Sequence, residues 1–388
     1  MRHSSYVEIS KSAYQKNLRF LRRKIGRETL LSSVVKGNAY GHGISSFLPM
    51  AESCGVRHFS VFSAEEAYLA RRSSQQDSQI LIMGYIDRGE LEWAVEHGVA
   101  FFVFDLARLN AALSAAERIK KPAKIHLEVE TGMNRTGFEG ADLEEAVGII
   151  KTHPEEIAVE GVCTHLAGAE SVANYLRVTT QLEIFEQVCR HLRELGITTV
   201  LRHTACSAAS LNYPQSIMDM VRMGIAQYGY WPNKETQMHY ELEHEDGRLR
   251  TKASPLKGVL RWVSRIMSLK RVKRGQFVGY GTTYQAMRNQ TLATVPVGYY
   301  HGFSRSLSNL GHVLVNGRRA PVVGLVNMNM MMIDVTDCNT VGPDDEVTLI
   351  GPQRRSRITV SSFSDMASSV NYEVLVRIPS TIPRVVVD

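Results

Sequence analysis

No run of these 388 residues is apolar for long enough to cross a bilayer, which excludes a helical membrane anchor. The opening Met1-Arg2-His3-Ser4-Ser5 leads into Tyr6-Val7-Glu8-Ile9 without an apolar signal segment. Cysteine is sparse. The five residues Cys54, Cys163, Cys189, Cys206 and Cys338 are odd in number and lack metal-ligand spacing, so the sequence predicts reduced thiols in a cytoplasmic protein and no bound metal. Neither sign of charge dominates: 45 basic against 39 acidic side chains leave +6, spread along the chain. The cluster Arg354-Arg355-Ser356-Arg357 is too short to mark a polyanion site, so nucleic acid is not an expected partner, whereas small anions are mildly favoured. What is present describes a folded protein. Hydrophobic content is 44%, charged content is 22%, and the length exceeds one ordinary core, so about two domains are expected.

From residue 30 to about 230, short apolar β runs alternate with helical patterns. Eight β runs are legible: Leu31–Val35, His58–Ser63, Gln79–Met83, Ala100–Phe104, Lys124–Val129, Val159–Thr164, Thr199–His203 and Met220–Ala226. The helical stretches include Ala64–Arg72, Glu90–Glu96, Leu106–Ile119, Leu143–Lys151, Tyr175–Leu195 and Ala208–Leu211. Eight strand–helix units predict a closed α/β barrel, (β/α)8, over residues 10–240. Beyond residue 250 the pattern becomes short β runs: Gly258–Met267, Gly311–Val315, Ala320–Val326, Met331–Val335 and Glu346–Ile350. Asn316-Gly317 is a hairpin signal, and Gly342-Pro343-Asp344-Asp345 is a turn. Residues 241–388 therefore read as a mostly β domain, with polar Asn233–Arg250 as an exposed connection.

Several segments carry chemistry. Lys36 closes the run Leu30 to Val35 ahead of Gly37-Asn38-Ala39-Tyr40-Gly41-His42-Gly43. Barrels present reactive groups at such strand ends, and a desolvated lysine amine can lose its proton and attack an aldehyde. On position alone, an exposed lysine closing a strand is the simpler description, and Tyr40 is equally an aromatic packed beside a glycine turn. In the segment from His126 to Gly137, His126, Glu128 and Glu130 share one strand face, which suggests a polar barrel site; an edge strand with a wet face would look the same. Ser207, after His203-Thr204-Ala205-Cys206, suits anion binding at a helix start or plain capping. Arg222 stays charged and accepts no proton; alternatively it makes a buried ion pair with Asp219. Tyr280, between Gly279 and Gly281, reads alone as a turn tyrosine, and the methionines up to Met332 read as core packing.

Together these segments, from Tyr6 to residue 383, resemble the alanine racemases, which are pyridoxal 5'-phosphate enzymes. The resemblance implies that Lys36 forms the cofactor Schiff base and shares acid/base work with Tyr280, the lysine serving the D- and the tyrosine the L-enantiomer. It implies phosphate contacts from Tyr40, Ser207, Tyr372 and the Gly224 and Ile225 amides, with His165 against the pyridine ring and Arg222 donating to its nitrogen. Arg135 would meet the substrate carboxylate, while Met328 and Tyr299 (with Arg305 six residues onward) would line the pocket and its entrance. It further implies a homodimer with shared sites and a first strand, residues 5–9, paired into the β domain. The sequence departs from the family at Glu128, where most relatives carry a carbamylated lysine, at Cys206, where they usually carry asparagine, and at Asn327 and Asn329 beside Met328. Glu128 is expected to supply a built-in carboxylate that orients Arg135. The expected function is alanine racemisation. Alternatives are racemisation of serine, lysine or arginine, a decarboxylase on the same scaffold, and a non-catalytic cofactor carrier.

Overall fold

The structure, a computed structural model, describes residues 3–198, 200–242, 254–367 and 369–388. The chain divides into two compact units, one formed by Gln15–Lys36 with Leu48–Lys257, the other by the segment up to Tyr14, Gly37–Phe47 and Gly258–Asp388. β1 (Ser5–Ser10) belongs to the second unit.

The first unit is a barrel. Its strands are β2 (Leu30–Val34), β3 (His58–Val61), β4 (Gln79–Ile82), β5 (Ala100–Val103), β6 (Ala123–Glu128), β7 (Ile157–Cys163), β8 (Leu201–His203) and β9 (Met220–Met223). Among the described residues they form one parallel sheet in the order β8-β7-β6-β5-β4-β3-β2-β9. The ends β8 and β9 meet through the Asp219 amide on Arg202 O (3.1 Å), the Arg222 amide on Ala205 O (3.0 Å) and an Arg202–Asp219 ion pair (3.0 Å). The strands start and stop within a few residues of the predicted runs, with Thr199 outside the described residues. The last predicted run is cut short: after Met223 the chain turns into a 3-10 helix, Ile225–Tyr228. Intervening helices bury apolar stripes at helical spacing. Leu106–Ile119 hides Leu109, Ala112, Ala115 and Ala116 and is capped by the Asp105 carboxylate on the Arg108 amide (2.7 Å). Asn233–Arg250 is not simply a connection: Lys234–Glu241 is a helix capped by Asn233, whose side chain takes the Thr236 amide, while 243–250 lie outside the described residues.

The barrel interior combines an apolar cluster, Leu81, Ala100, Phe102, Cys163 and Met220, with buried polar groups: Ser32, His58, Ser60, His126, His203 and Arg222. β6 lies between β5 and β7, so its polar face points into the barrel and the edge-strand alternative falls.

The second unit contains β10 (Leu260–Arg265), β11 (Ser268–Val272), β12 (Gln290–Val295), β13 (His312–Val315), β14 (Arg318–Pro321), β15 (Met331–Asp334), β16 (Glu346–Gln353), β17 (Ser356–Ile358) and β18 (Arg384–Val387). One sheet runs β14-β13-β16-β10-β1-β18 with β17 on β16; the other runs β11-β12-β15. β1 is antiparallel to β10 and parallel to β18. Asn316 and Gly317 make the β13–β14 hairpin with φ of 52° and 80°. The expected run Ala320–Val326 pairs with β13 only to Pro321; from Val322, which bridges Ile333 of β15, the chain passes to the other sheet, and Gly324 (φ 74°) then turns it. Two short helices, Val360–Ala367 and Asn371–Val376, were not anticipated. Among the described residues no helix is long and apolar enough to cross a membrane.

Candidate active site

Lys36 ends the barrel unit just past β2. Its strand end is held by the turn that follows the neighbouring strand β9: Gln227 Nε2 (3.1 Å) and the Tyr228 hydroxyl (2.9 Å) both donate to Val34 O, and Ser33 donates to Gln227 Oε1 (2.7 Å). The Val35 amide adds a bond to Ser60 O (2.8 Å). The Lys36 side chain is accessible. Desolvation, followed by the charges of Arg135 and Arg222, lowers its pKa below the ordinary lysine value, against the opposing pull of Glu66. An amine shifted this way is a better nucleophile and base near neutrality.

Immediately after Lys36 the backbone enters a left-handed turn, a conformation costly for residues with a Cβ. Gly37, Asn38, Ala39 and Tyr40 have φ of 61°, 52°, 56° and 50°. The β unit locks it: Asn38 Oδ1 takes the Ile44 amide (2.9 Å), and Arg384 donates to Gly41 O (2.8 and 3.1 Å). Tyr40 is buried and its ring lies 5.9 Å from that of Tyr372, so these two predicted phosphate ligands are neighbours.

Within the barrel, Arg222 is 5% exposed and anchored on three carbonyls: Thr164 (2.8 Å), His203 (3.0 Å) and Thr204 (3.3 Å). It also donates to His203 Nδ1. That bond requires His203 to carry its proton on Nε2, from which it donates to His126 Nδ1 (2.8 Å). The anticipated Arg222–Asp219 pair does not form, since Asp219 is taken by Arg202. Burial, and after it Arg222, keeps His203 neutral; burial also lowers His126 and His165 to about 3. His165 follows the Thr164 carbonyl that Arg222 binds and feels Arg222, Arg135 and Lys36. Lys36, Arg135, His165 and Arg222 are thus brought together. Ser207, 4% exposed, accepts the Gly224 (2.9 Å) and Ala226 (3.3 Å) amides, which draws the helix start at Ser207 and the turn at Ile225 into one cradle. Cys206 precedes it as the N-cap residue, without a side-chain capping bond.

Arg135 lies on an exposed loop between β6 and Phe138. Glu128, 5% exposed, makes no ion pair with it among the described residues; its carboxylate accepts the Thr136 hydroxyl instead (2.8 Å). Burial raises the Glu128 pKa, with Thr136, Arg222 and Arg135 pulling the other way. Sequence reasoning marked Glu130 only as part of a polar face. In the structure its carboxylate collects four successive amides, Gly132 to Arg135. It also missed Gln181, which joins Thr131 Oγ1 (3.2 Å), the His165 carbonyl (3.0 Å) and the Ala167 amide (2.8 Å).

In the β unit, Tyr280 is 72% exposed between Gly279 (φ 76°) and Gly281 (φ 69°). Its loop leans on Gly324 and Met332, close enough that a Cβ on Gly279 would meet Met332 Cε at 2.8 Å. Tyr299 and Met328 are adjacent: the Tyr299 amide binds Asn327 O (3.0 Å) and the Tyr300 amide binds Met328 O (3.0 Å). Arg305 donates to Val326 O (3.1 Å). Met331 is core, but Met328 and Met330 are exposed, so the methionine run is only partly packing.

The chain matches the family described as alanine racemase, N-terminal domain, over residues 9–232, and that described as alanine racemase, C-terminal domain, over 259–386. It is 34% identical over 386 residues to the alanine racemase of Leptospira interrogans serogroup Icterohaemorrhagiae serovar copenhageni (strain Fiocruz L1-130), covering 100% of this chain and 96% of the relative. With that of Symbiobacterium thermophilum it shares 35% over 382 residues, covering 98% and 96%. The alanine racemase of Bacillus anthracis solved with bound L-Ala-P superposes with a TM-score of 0.89 at 29% identity, covering 100% and 96%.

Proposed function

Because the chain belongs to the alanine racemase family, we propose that it interconverts L- and D-alanine with pyridoxal 5'-phosphate as cofactor. The observation that carries this reading is Lys36, an amine with a lowered pKa beside two guanidiniums at the end of a barrel strand. The residues fit the cofactor: Lys36 for its aldehyde, the Ser207, Gly224 and Ile225 cradle with Tyr40 and Tyr372 for its phosphate, His165 and Arg222 for its ring. When bound, the cofactor would supply a reactive aldehyde and the electron withdrawal that acidifies the substrate α-carbon.

The side chains do the rest. Lys36, shifted toward its neutral form, accepts or returns a proton on one face. Tyr280 serves the opposite face, with the lysine handling the D- and the tyrosine the L-enantiomer. Arg222 offers hydrogen bonds but no proton, which favours simple proton removal and return over loss of carbon dioxide. Arg135 receives the substrate carboxylate, and Met328 and Tyr299 line the substrate's side. The functional division is a cofactor-binding domain over 10–240 and a domain over 241–388, with strand 5–9, that supplies Tyr280. The protein works as a homodimer in which each barrel is completed by the partner subunit. In support, the β unit exposes Phe277, Tyr280, Tyr299, Tyr300, Leu310 and Met328, mostly aromatic and methionine side chains of the kind that interfaces cover. Five free thiols suit a reducing cytoplasm.

The test is deuterium incorporation at the α-carbon of alanine, serine, lysine and arginine with added pyridoxal phosphate. Exchange fastest with alanine, and abolished in Lys36→Ala, is expected. Release of carbon dioxide would reassign the reaction, and preference for lysine or arginine would reassign the substrate through Asn327 and Asn329.

A further inference from the structure

We propose that Glu130 is the positioning residue for Arg135, its carboxylate acting as the internal anion around which the substrate-binding loop folds. This rests on the racemase reading above, in which Arg135 receives the substrate carboxylate.

The loop from Thr131 to Gly137 is pinched shut at its neck. The Phe138 amide binds Glu128 O (2.9 Å) and the Glu130 amide binds Phe138 O (3.0 Å). Gly137 has no room for a side chain there, since a Cβ would sit 2.6 Å from the Glu130 nitrogen. Inside the neck, one Glu130 oxygen takes the Gly132 and Met133 amides, the latter at 2.6 Å. The other takes those of Asn134 (2.8 Å) and Arg135 (3.4 Å). Asn134, with φ 56°, supplies the left-handed step that turns successive N–H groups inward. Consecutive amides arranged this way make an anion-binding concavity; here the anion is the chain's own side chain. Burial works against the Glu130 charge, but the amides outweigh it and leave its pKa below the ordinary glutamate value.

The rest of the loop is tied outward. Thr131 bonds Thr164 (2.8 Å), Arg177 donates to Gly132 O (2.8 Å), and Thr136 donates to Glu128. Arg135 is left with its backbone fixed by Glu130 and its side chain exposed. The single ion that the loop encloses therefore sets where the guanidinium starts from. An uncharged amide cannot replace it, because a glutamine NH2 would face the N–H groups of Asn134 and Arg135.

The experiment uses holoenzyme of wild type, Glu130→Gln, Arg135→Ala and the double variant, with KM and kcat for alanine. It is joined by amide hydrogen exchange of the cofactor-free wild type and Glu130→Gln. Glu130→Gln should raise KM about tenfold or more while kcat changes little, and Gly132–Arg135 amides should exchange about tenfold faster with β6 unaffected. The double variant should be no worse than Arg135→Ala alone, since the glutamate acts only through the arginine. Additive losses, or an unchanged KM, would overturn the proposal and leave Glu130 a structural cap. A wild type that exchanges no α-proton with any amino acid would sink the racemase reading and this inference with it. Normal wild-type turnover with an indifferent Glu130→Gln sinks only the inference.

Discussion

Glu128 is a buried carboxylate that touches the loop bearing Arg135 through Thr136, in a setting that disfavours its charge. In an unfolded chain a glutamate titrates near its ordinary value of about 4.3. In the barrel, burial raises it, with the Thr136 hydroxyl and two guanidiniums only partly opposing. Below the ordinary range both states keep the proton and nothing is lost. As pH rises through the raised folded value, the folded state must surrender a proton it holds more tightly than the unfolded chain does, and stability falls. Glu128→Gln removes that ionisation while its carbonyl can still accept the Thr136 hydroxyl. The melting-temperature gap between variant and wild type should widen in the variant's favour from about pH 4 upward, then level off, each 1 kcal/mol being worth roughly 2–4 °C. Alanine turnover should drop about fivefold, the roughly 1 kcal/mol by which a charged acceptor exceeds a neutral one. A flat gap in calorimetric scans across pH would mean that folding leaves the carboxyl unshifted, and a reversed gap that its charge stabilises the fold. Wild-type turnover would mean that Glu128 has no hold on the loop bearing Arg135.

At the scale of elements, the strands of the barrel and most of its helices were legible because each announces itself locally. Buried parallel strands read as continuous apolar runs, as in Ala100–Val103, and helices read as stripes such as Leu109, Ala112 and Ala116. The left-handed turn after Lys36 was not legible. Its φ values follow from partners far along the chain, Arg384 on Gly41 O and the Leu375 carbonyl, and no spacing rule reaches across that separation. The same holds for the Arg222–His203–His126 chain, whose links join three strands. Sequence marked each histidine as polar on a strand but could not say which met which. The turn yields a sharp test. A Cβ on Gly41, at φ 77°, would lie 2.0 Å from Leu375 O, whereas one on Gly55, at φ 89°, meets nothing within 4 Å. Gly55→Ala should cost only the left-handed strain, about 1–2 kcal/mol. Gly41→Ala adds a backbone collision and should cost about 3 kcal/mol or more, with loss of Lys36 placement and hence of turnover. Equal losses in chemical denaturation would show that the chain shifts freely around Gly41 and that the turn is not locked.

For the molecule as a whole, the barrel's buried histidines set its response to acid. His58 titrates at about 4, His126 and His165 at about 3, and His203 well below the ordinary value, in every case chiefly because burial disfavours the charged ring. Unfolded, each would take up its proton near about 6.5. Over the interval from there down to about 4, the unfolded chain binds protons that the folded barrel refuses, so folding stability is present above this range and drains away as pH falls through it. Each such group contributes about 1.4 kcal/mol per pH unit, so four together remove about 5 kcal/mol per unit. Domains are commonly stable by about 5–15 kcal/mol. One to three pH units of acidification from about 6.5 should therefore suffice, and barrel unfolding is expected between about pH 5.5 and 3.5. Circular dichroism across pH, with urea titrations at each pH, measures both midpoint and slope. The slope between pH 6 and 4.5 should approach four protons taken up on unfolding, and His58→Phe should lower it by about one. A midpoint below about pH 3.5, or a slope under about two protons, would mean that the barrel interior admits charged imidazolium. The neutral relay inferred from Arg222 through His203 to His126 would then have to be redrawn with its protons in other places.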